Sequence, residues 1–246
     1  MNIHRHWLLA AALLALTGHA RGEPDAQALL QRADHARGGG LPGIVWKIEL
    51  TSHEDGAVSD SQRLEVRAVN DASVAETLEP PRFRGSKLLQ VGHNMWLTRP
   101  GLSKPVPISP RQRLSGQASN GDIAATNYAA DYDARLIGEE PVNGETCHVL
   151  ELAARHKRVT YDRVRYWISA VRTVGVKAEF YSLSGKLLKT ARFEYGNTIE
   201  FDGRHIPFVS QMIIRDALID AETHMNFRNI QVRKIPPAEF DLGALR

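Results

Sequence analysis

Apolar and polar residues alternate along most of this chain. Ile44, Trp46, Ile48 and Leu50 alternate with Val45, Lys47, Glu49 and Thr51, and Leu64, Val66 and Ala68 alternate with Arg63, Glu65 and Arg67. A period of two sets each series on its own face of a strand, one greasy and one mostly polar. Further strands are predicted at 72–79, 86–92, 94–99, 132–139, 145–153 and 162–169. Strands at 173–182 and 187–195 flank a Ser184-Gly185 turn, which would set Val176 opposite Phe193 and Ala178 opposite Ala191. Val174, Val176, Ala178 and Phe180 then share a face with Leu187, Phe193 and Tyr195, interrupted by Lys189. Long strands at 205–216 and 221–233 form a last hairpin near 218–220. Short connections make neighbouring strands antiparallel, each with a buried and a wet side.

A helical pattern replaces this alternation at 24–35. Pro24 and Asp25 suit a helix start, and Leu29, Leu30 and Ala33 make its apolar stripe. Gly38, Gly39, Gly40, Pro42 and Gly43 follow as a connector, lacking the preceding strand of a phosphate loop. At 103–130, prolines 105, 107 and 110 precede a helix-compatible stretch, expected to fold over the sheet as one or two short helices. The expected fold is mainly β with flanking helices: a curled antiparallel half-barrel of about ten or eleven strands with a helical lid. Its concave face must be filled by its own side chains, a cover or an apolar ligand. Trp46, Ile48, Leu50, Leu64, Val66, Leu97, Phe180 and Phe193 form the predicted cavity-facing set, though each also suits plain core packing. Met95, Met212 and Met225 are adaptable neighbours.

Residues 1–20 read as an address. Arg5 precedes the apolar run 7–16, and small residues lead to Ala20, the order of a cleaved signal peptide. Ten apolar residues fall short of the roughly 20 that span a membrane. Cleavage after Ala20, with Gly22 as second choice, leaves one domain at 21–246 without a cysteine nearby for a lipid anchor. The protein is therefore expected to be periplasmic, exported and soluble. A net charge of +3 is too thin to call for nucleic acid, and no arginine-rich run accompanies it. The single cysteine, Cys147, excludes an internal disulfide and is expected as a small core residue in an oxidising compartment.

Catalytic chemistry finds no motif. No G-x-S-x-G occurs, and Ser119 between Gly116 and Gly121 has the wrong spacing. His93, His148, His156, His205 and His224 show no i, i+4 or H-x-H pairing, so no metal site is expected. The acid pairs Asp131/Asp133 and Glu139/Glu140 read as solvated turn residues rather than acid–base machinery. His156, Lys157 and Arg158 read as a solvent-facing basic patch. The reading is of a non-enzyme without a cofactor.

One segment narrows the function. Met95-Trp96-Leu97, Pro100, Ile108-Ser109-Pro110, the run 113–122, Asn127-Tyr128 and Asp131-Tyr132 closely resemble the bacterial outer-membrane lipoprotein-sorting proteins, a branch of the LolA-like superfamily. The stretches 176–181 and 184–189 and the closing Asn229-Ile230 are similar to the same family. The resemblance implies a helix-capped half-barrel whose apolar cavity accepts acyl chains. It further implies a periplasmic carrier, or chaperone, of a lipid or lipoprotein, with an inner-membrane transporter of the resistance–nodulation–division type as a partner. Within the run 113–122, Arg113, Gln117, Asn120 and Asp122 are the candidate lid or docking residues. The protein is read as a monomer. The alternative is a periplasmic sensor or scaffold that binds a protein partner, such as a lipid-exporting transporter or stress regulator; a secreted hydrolase ranks third.

Overall fold

The computed structural model describes residues 24–124 and 127–245, so the signal peptide expected at 1–20 lies outside the described residues. Alternation yields β1 (Ile44–Glu54), β2 (Ala57–Ala68), β3 (Ala72–Glu79), β4 (Lys87–Val91), β5 (Asn94–Thr98) and β6 (Val106–Ile108). Two short strands follow, β7 (Arg113–Ser115) and β8 (Ala118–Ser119), then β9 (Tyr132–Val142), β10 (Glu145–Ala154) and β11 (Arg163–Ser169). The chain continues through β12 (Gly175–Tyr181), β13 (Leu187–Glu194), β14 (Asn197–Phe201), β15 (Arg204–Phe208), β16 (Gln211–Asp216) and β17 (Ala221–Val232). The helices are α1 (Ala26–Asp34), α2 (Asn120–Ala124) and α3 (Tyr128–Asp131).

Thirteen strands form one antiparallel sheet in the order β6-β5-β4-β3-β2-β1-β17-β16-β13-β12-β11-β10-β9, and β7-β8 and β14-β15 make two small sheets of their own. The main sheet therefore exceeds the expected ten or eleven strands, and its end strands β6 and β9 do not pair, so it curls without closing. The expected strand 205–216 is in fact two, broken at Val209 and Ser210. The hairpin β14-β15 was not expected. It turns at Asp202-Gly203 with φ of +51° and +68°, the left-handed pair that a two-residue hairpin turn requires. Asp55-Gly56 and Asn143-Gly144 turn the same way between β1 and β2 and between β9 and β10.

Ala178 faces Ala191 across β12-β13 as predicted, but a bulge at Phe180/Tyr181 lengthens the turn so that Ser182 bonds Lys186. A second bulge, at Trp167/Ile168, splits the predicted apolar face of this hairpin. Ala178 and Phe180 join the main core, whereas Val174 and Val176 pack with Cys147, Val149 and Trp167 in a separate cluster. Cys147 is fully buried there, and burial pushes its thiol pKa up. On the reverse of the sheet, Val45, Val74 and Leu89 are covered by Ile235 and Phe240, so the chain's end hides the apolar exceptions on the wet side of β1, β3 and β4.

Helix α1 starts where Asp25 accepts hydrogen bonds from the Gln27 and Ala28 amides, 2.9 and 3.2 Å, and its Leu29, Leu30 and Ala33 enter the main core. The hairpin β14-β15 adds Ile199 and Phe208 to that core, Phe208 standing edge-on to Trp46 with centroids 5.9 Å apart. The segment 109–124 adds Ala118, Ile123 and Ala124. Together these three pieces cover the concave face.

Candidate functional site: the covered concave face

Register assembles the concave face. Trp46 pairs with Val66, Ile48 lies between Leu64 and Phe227, and Phe193 pairs with Met212. Of the eight residues predicted to face a cavity, Trp46, Ile48, Leu50, Leu64, Val66, Phe180 and Phe193 lie buried in one cluster with Met95, Met212 and Met225. Leu97, near the β6 edge, is half-buried and outside that cluster. The covered face is filled by its own side chains. Trp46 and Phe193 border a remaining space of about 20 Å³, together with Arg37, Asp122 and Phe208. That leaves room for no more than one water. The indole N–H of Trp46 is buried there without a hydrogen-bond partner.

The cover is tied down by polar groups, at one end of the sheet. Ser52 and Thr223 bond each other across β1-β17 at 3.0 Å, and the Thr223 hydroxyl accepts the Gln117 amide N–H at 2.7 Å. Lys189 donates to the Gln117 carbonyl at 2.5 Å and to the Ser119 hydroxyl at 3.1 Å. Asp122 accepts the Ser119 amide at 2.8 Å and the Tyr161 hydroxyl at 2.9 Å, and Tyr161 stacks on Phe180 with centroids 4.0 Å apart. Ser115 donates to Asp60 at 2.7 Å. Gly116, at φ +50°, sits so close that a Cβ would lie 2.0 Å from the Ser52 hydroxyl. Any side chain there would displace the Ser52 and Thr223 hydroxyls.

Burial pushes the Asp122 carboxyl pKa up, while Lys189, the Ser119 amide and the Tyr161 hydroxyl pull it back. The same burial pushes the Lys189 ammonium down, against the attraction of Asp122. Each charge thus depends on the other staying in place. Next to them Arg37 is buried with its guanidinium 4.5 Å from the Tyr128 ring centroid. Asp34, buried and accepting the Ala129 amide at 2.8 Å, is pushed up to about 7 by that burial. A larger cavity of about 390 Å³ lies outside the core, lined by Gln27, Gln31, Asp34, Asn70, Arg155 and neighbours, and is too polar for an acyl chain.

Of the predicted lid residues, Gln117, Asn120 and Asp122 are buried, with the Asn120 amide donating to the Ser109 carbonyl at 3.0 Å, while Arg113 is exposed. Ser119, whose spacing does not suit a nucleophile elbow, is buried within the network. Asp131 and Asp133 part company: Asp133 pairs with Arg155, and Asp131 meets His93 and His156. His156 is thus not simply solvent-facing. Lys189, Ser52, Thr223 and Tyr161 were not singled out as site residues. Three of them carried a signal: each is a polar residue in phase with an apolar series, Ser52 with Ile48 and Leu50, Thr223 with Met225 and Phe227, Lys189 with Ala191 and Phe193.

Comparison with known proteins places this architecture. A crystallised LolA superfamily protein from Nitrosomonas europaea is 32% identical, covering 88% of this chain and 97% of its own, with a TM-score of 0.78. The chain belongs to the LolA superfamily. The same LolA-like fold recurs in a DUF1329 family protein from Desulfovibrio piger, at 22% identity and TM-score 0.77, over 89% of this chain and 97% of that one. It recurs again in a putative outer membrane lipoprotein-sorting protein domain from Vibrio parahaemolyticus, at 18% identity and TM-score 0.75, with the same coverage. A family model described as "-like: Uncharacterized protein" matches residues 69–246. No curated protein matches the chain. No helix among the described residues is long and apolar enough to cross a membrane.

Proposed function

We propose that this LolA-like protein is a periplasmic carrier that takes acyl chains of a lipid or lipoprotein onto its concave face, in outer-membrane lipid or lipoprotein trafficking. The observation that carries the reading is the contrast between that face and its cover. The face is mostly aromatic and aliphatic, but the segment 115–122, which closes one end of it, brings Gly116, Ala118, Ser119 and Gly121 and is held by hydrogen bonds. Lifting it exposes little greasy surface of its own, and water replaces its polar bonds. Each methylene then buried by a ligand contributes about 0.8 kcal/mol, so an acyl chain competes with the cover's small side chains for the face. The covered form is the unloaded carrier.

Native mass spectrometry and lipid extraction of the purified protein test this. Bound acyl lipid supports the carrier; protein that stays lipid-free after incubation with acyl lipid and lysolipid vesicles contradicts it. A second reading, a sensor or scaffold for a protein partner, is favoured by Val58, Leu183, Leu218 and Ile219. These are 64%, 74%, 71% and 52% exposed in and beside turns at the covered end of the sheet. A transporter of the resistance–nodulation–division type as the receiving partner rests on family resemblance alone. Export with cleavage after Ala20, and one domain over 21–246, complete the proposal.

A further inference from the structure

The open sheet brings its two arms together at one point. The turn between β4 and β5, on the β6 side, carries His93; the far arm supplies Asp131 at the end of α3 and His156 in the loop after β10. His93 Nδ1 lies 3.3 Å and His156 Nε2 3.1 Å from the same Asp131 oxygen, Oδ1, and all three donor atoms lie within 4.8 Å of one another. The two imidazole rings are 3.8 Å apart. Beside them Arg158 reaches across to the Asn94 side chain at 2.8 Å, so the same two arms meet twice.

We propose that His93, Asp131 and His156 form a divalent transition-metal site, of the Zn²⁺ class, that clasps the two arms of the half-barrel. Tetrahedral zinc with bonds of about 2.0–2.1 Å spaces its ligand atoms about 3.3 Å apart, close to the two separations from Asp131, and the two imidazoles, 3.8 Å apart, swing outward to receive the ion. Two imidazoles and one carboxylate suit such an ion, with water in the fourth position. Exposure is graded to fit: Asp131 is 17% exposed and His156 26%, while His93 at 48% leaves an entry path. Coordination through His156 Nε2 places the ring proton on Nδ1, which releases an exposed 3.2 Å contact from the Arg158 amide to water. Residues 93, 131 and 156 belong to three separate elements, so no local spacing announces the site.

A second trio, His53, Glu222 and His224, also lies within ligand distance. There Glu222 is already bonded to Arg215 at 2.7 Å and to His224 at 2.6 Å, and both partners hold its carboxyl below the usual range. It serves as the internal control. The clasp stands whether or not the concave face takes lipid.

The test is titration of the untagged full protein with Zn²⁺ against a chromogenic chelator, paired with thermal melting. One equivalent should bind and raise the melting temperature. H93A and H156A should each weaken binding at least tenfold and abolish the thermal shift, while H224A changes affinity less than twofold. Metal-free melting of each variant confirms that it folds, and D131N, which keeps the shape of the side chain, gives the same loss if an alanine variant does not. Absence of chelator-competitive binding, affinity unchanged in H93A and H156A, or loss confined to H224A overturns the proposal.

Discussion

Lys189 reaches from the sheet to the main-chain carbonyl of Gln117 in the covering segment, a 2.5 Å contact made from a position in phase with Ala191 and Phe193. A cation on an apolar face is costly unless partnered. Its hydrogen-bond partners here both belong to the cover, so this ammonium helps to couple the sheet and the segment. Lys189→Met keeps the stem and removes the donor. The expected cost is about 1–3 kcal/mol, seen as faster hydrogen exchange over residues 115–122 with strands β1 and β17 still protected. Unchanged exchange in the segment contradicts the latch.

Gly116→Ala isolates steric closeness. Gly56→Ala suffers similar backbone strain, at φ +77° against +50°, but its Cβ meets open space whereas that of Gly116 meets Ser52 and Thr223. Gly116→Ala should therefore cost about 1–3 kcal/mol more than Gly56→Ala in urea unfolding. Equal costs would show that the segment yields freely.

Asp34 sets a pH dependence. Its carboxyl rises from an ordinary 3.8 to about 7 through burial, so below 3.8 both folded and unfolded chains hold the proton. Between those values only the folded chain holds it. Its contribution to stability is thus full below about pH 4 and is lost as pH rises to about 7, with a slope of up to about 1.4 kcal/mol per pH unit. Asp34→Asn, which still accepts from the Ala129 amide, should flatten that slope in denaturation midpoints taken from pH 4.5 to 7.5.

Two positions from the predicted cavity set separate in stability. Phe180 is fully buried against Tyr161, whereas Leu97 is half-buried beyond the core. Phe180→Ala should cost about 3–5 kcal/mol and Leu97→Ala about 1 kcal/mol or less. Similar losses at both would mean that the β5 edge is packed more tightly than its exposure indicates.

The sheet was legible because period two persists through β1, β2, β12 and β17, and the covering role of the 103–130 stretch followed from a sheet with one greasy face. The β14-β15 hairpin was missed although Asp202-Gly203 between Phe201 and Arg204 is a strong turn signal. The long reading of 205–216 swallowed its second strand. The latch was half visible. Lys189 stood out as an interruption, but what it bonds, a backbone carbonyl 72 residues away, is a tertiary fact. The histidines looked scattered because 93 and 156 meet only when the sheet curls.

Trp46 reports directly on whether the concave face accepts an acyl chain. Its indole N–H has no partner, so Trp46→Phe forfeits no hydrogen bond and serves as a clean reference. Brominated fatty acid quenches only an indole it touches. Acyl-chain binding on this face gives saturable quenching in the wild-type protein that disappears in Trp46→Phe and becomes faster in Lys189→Met. Quenching that survives Trp46→Phe unchanged, or none at any concentration below micelle formation, would contradict it.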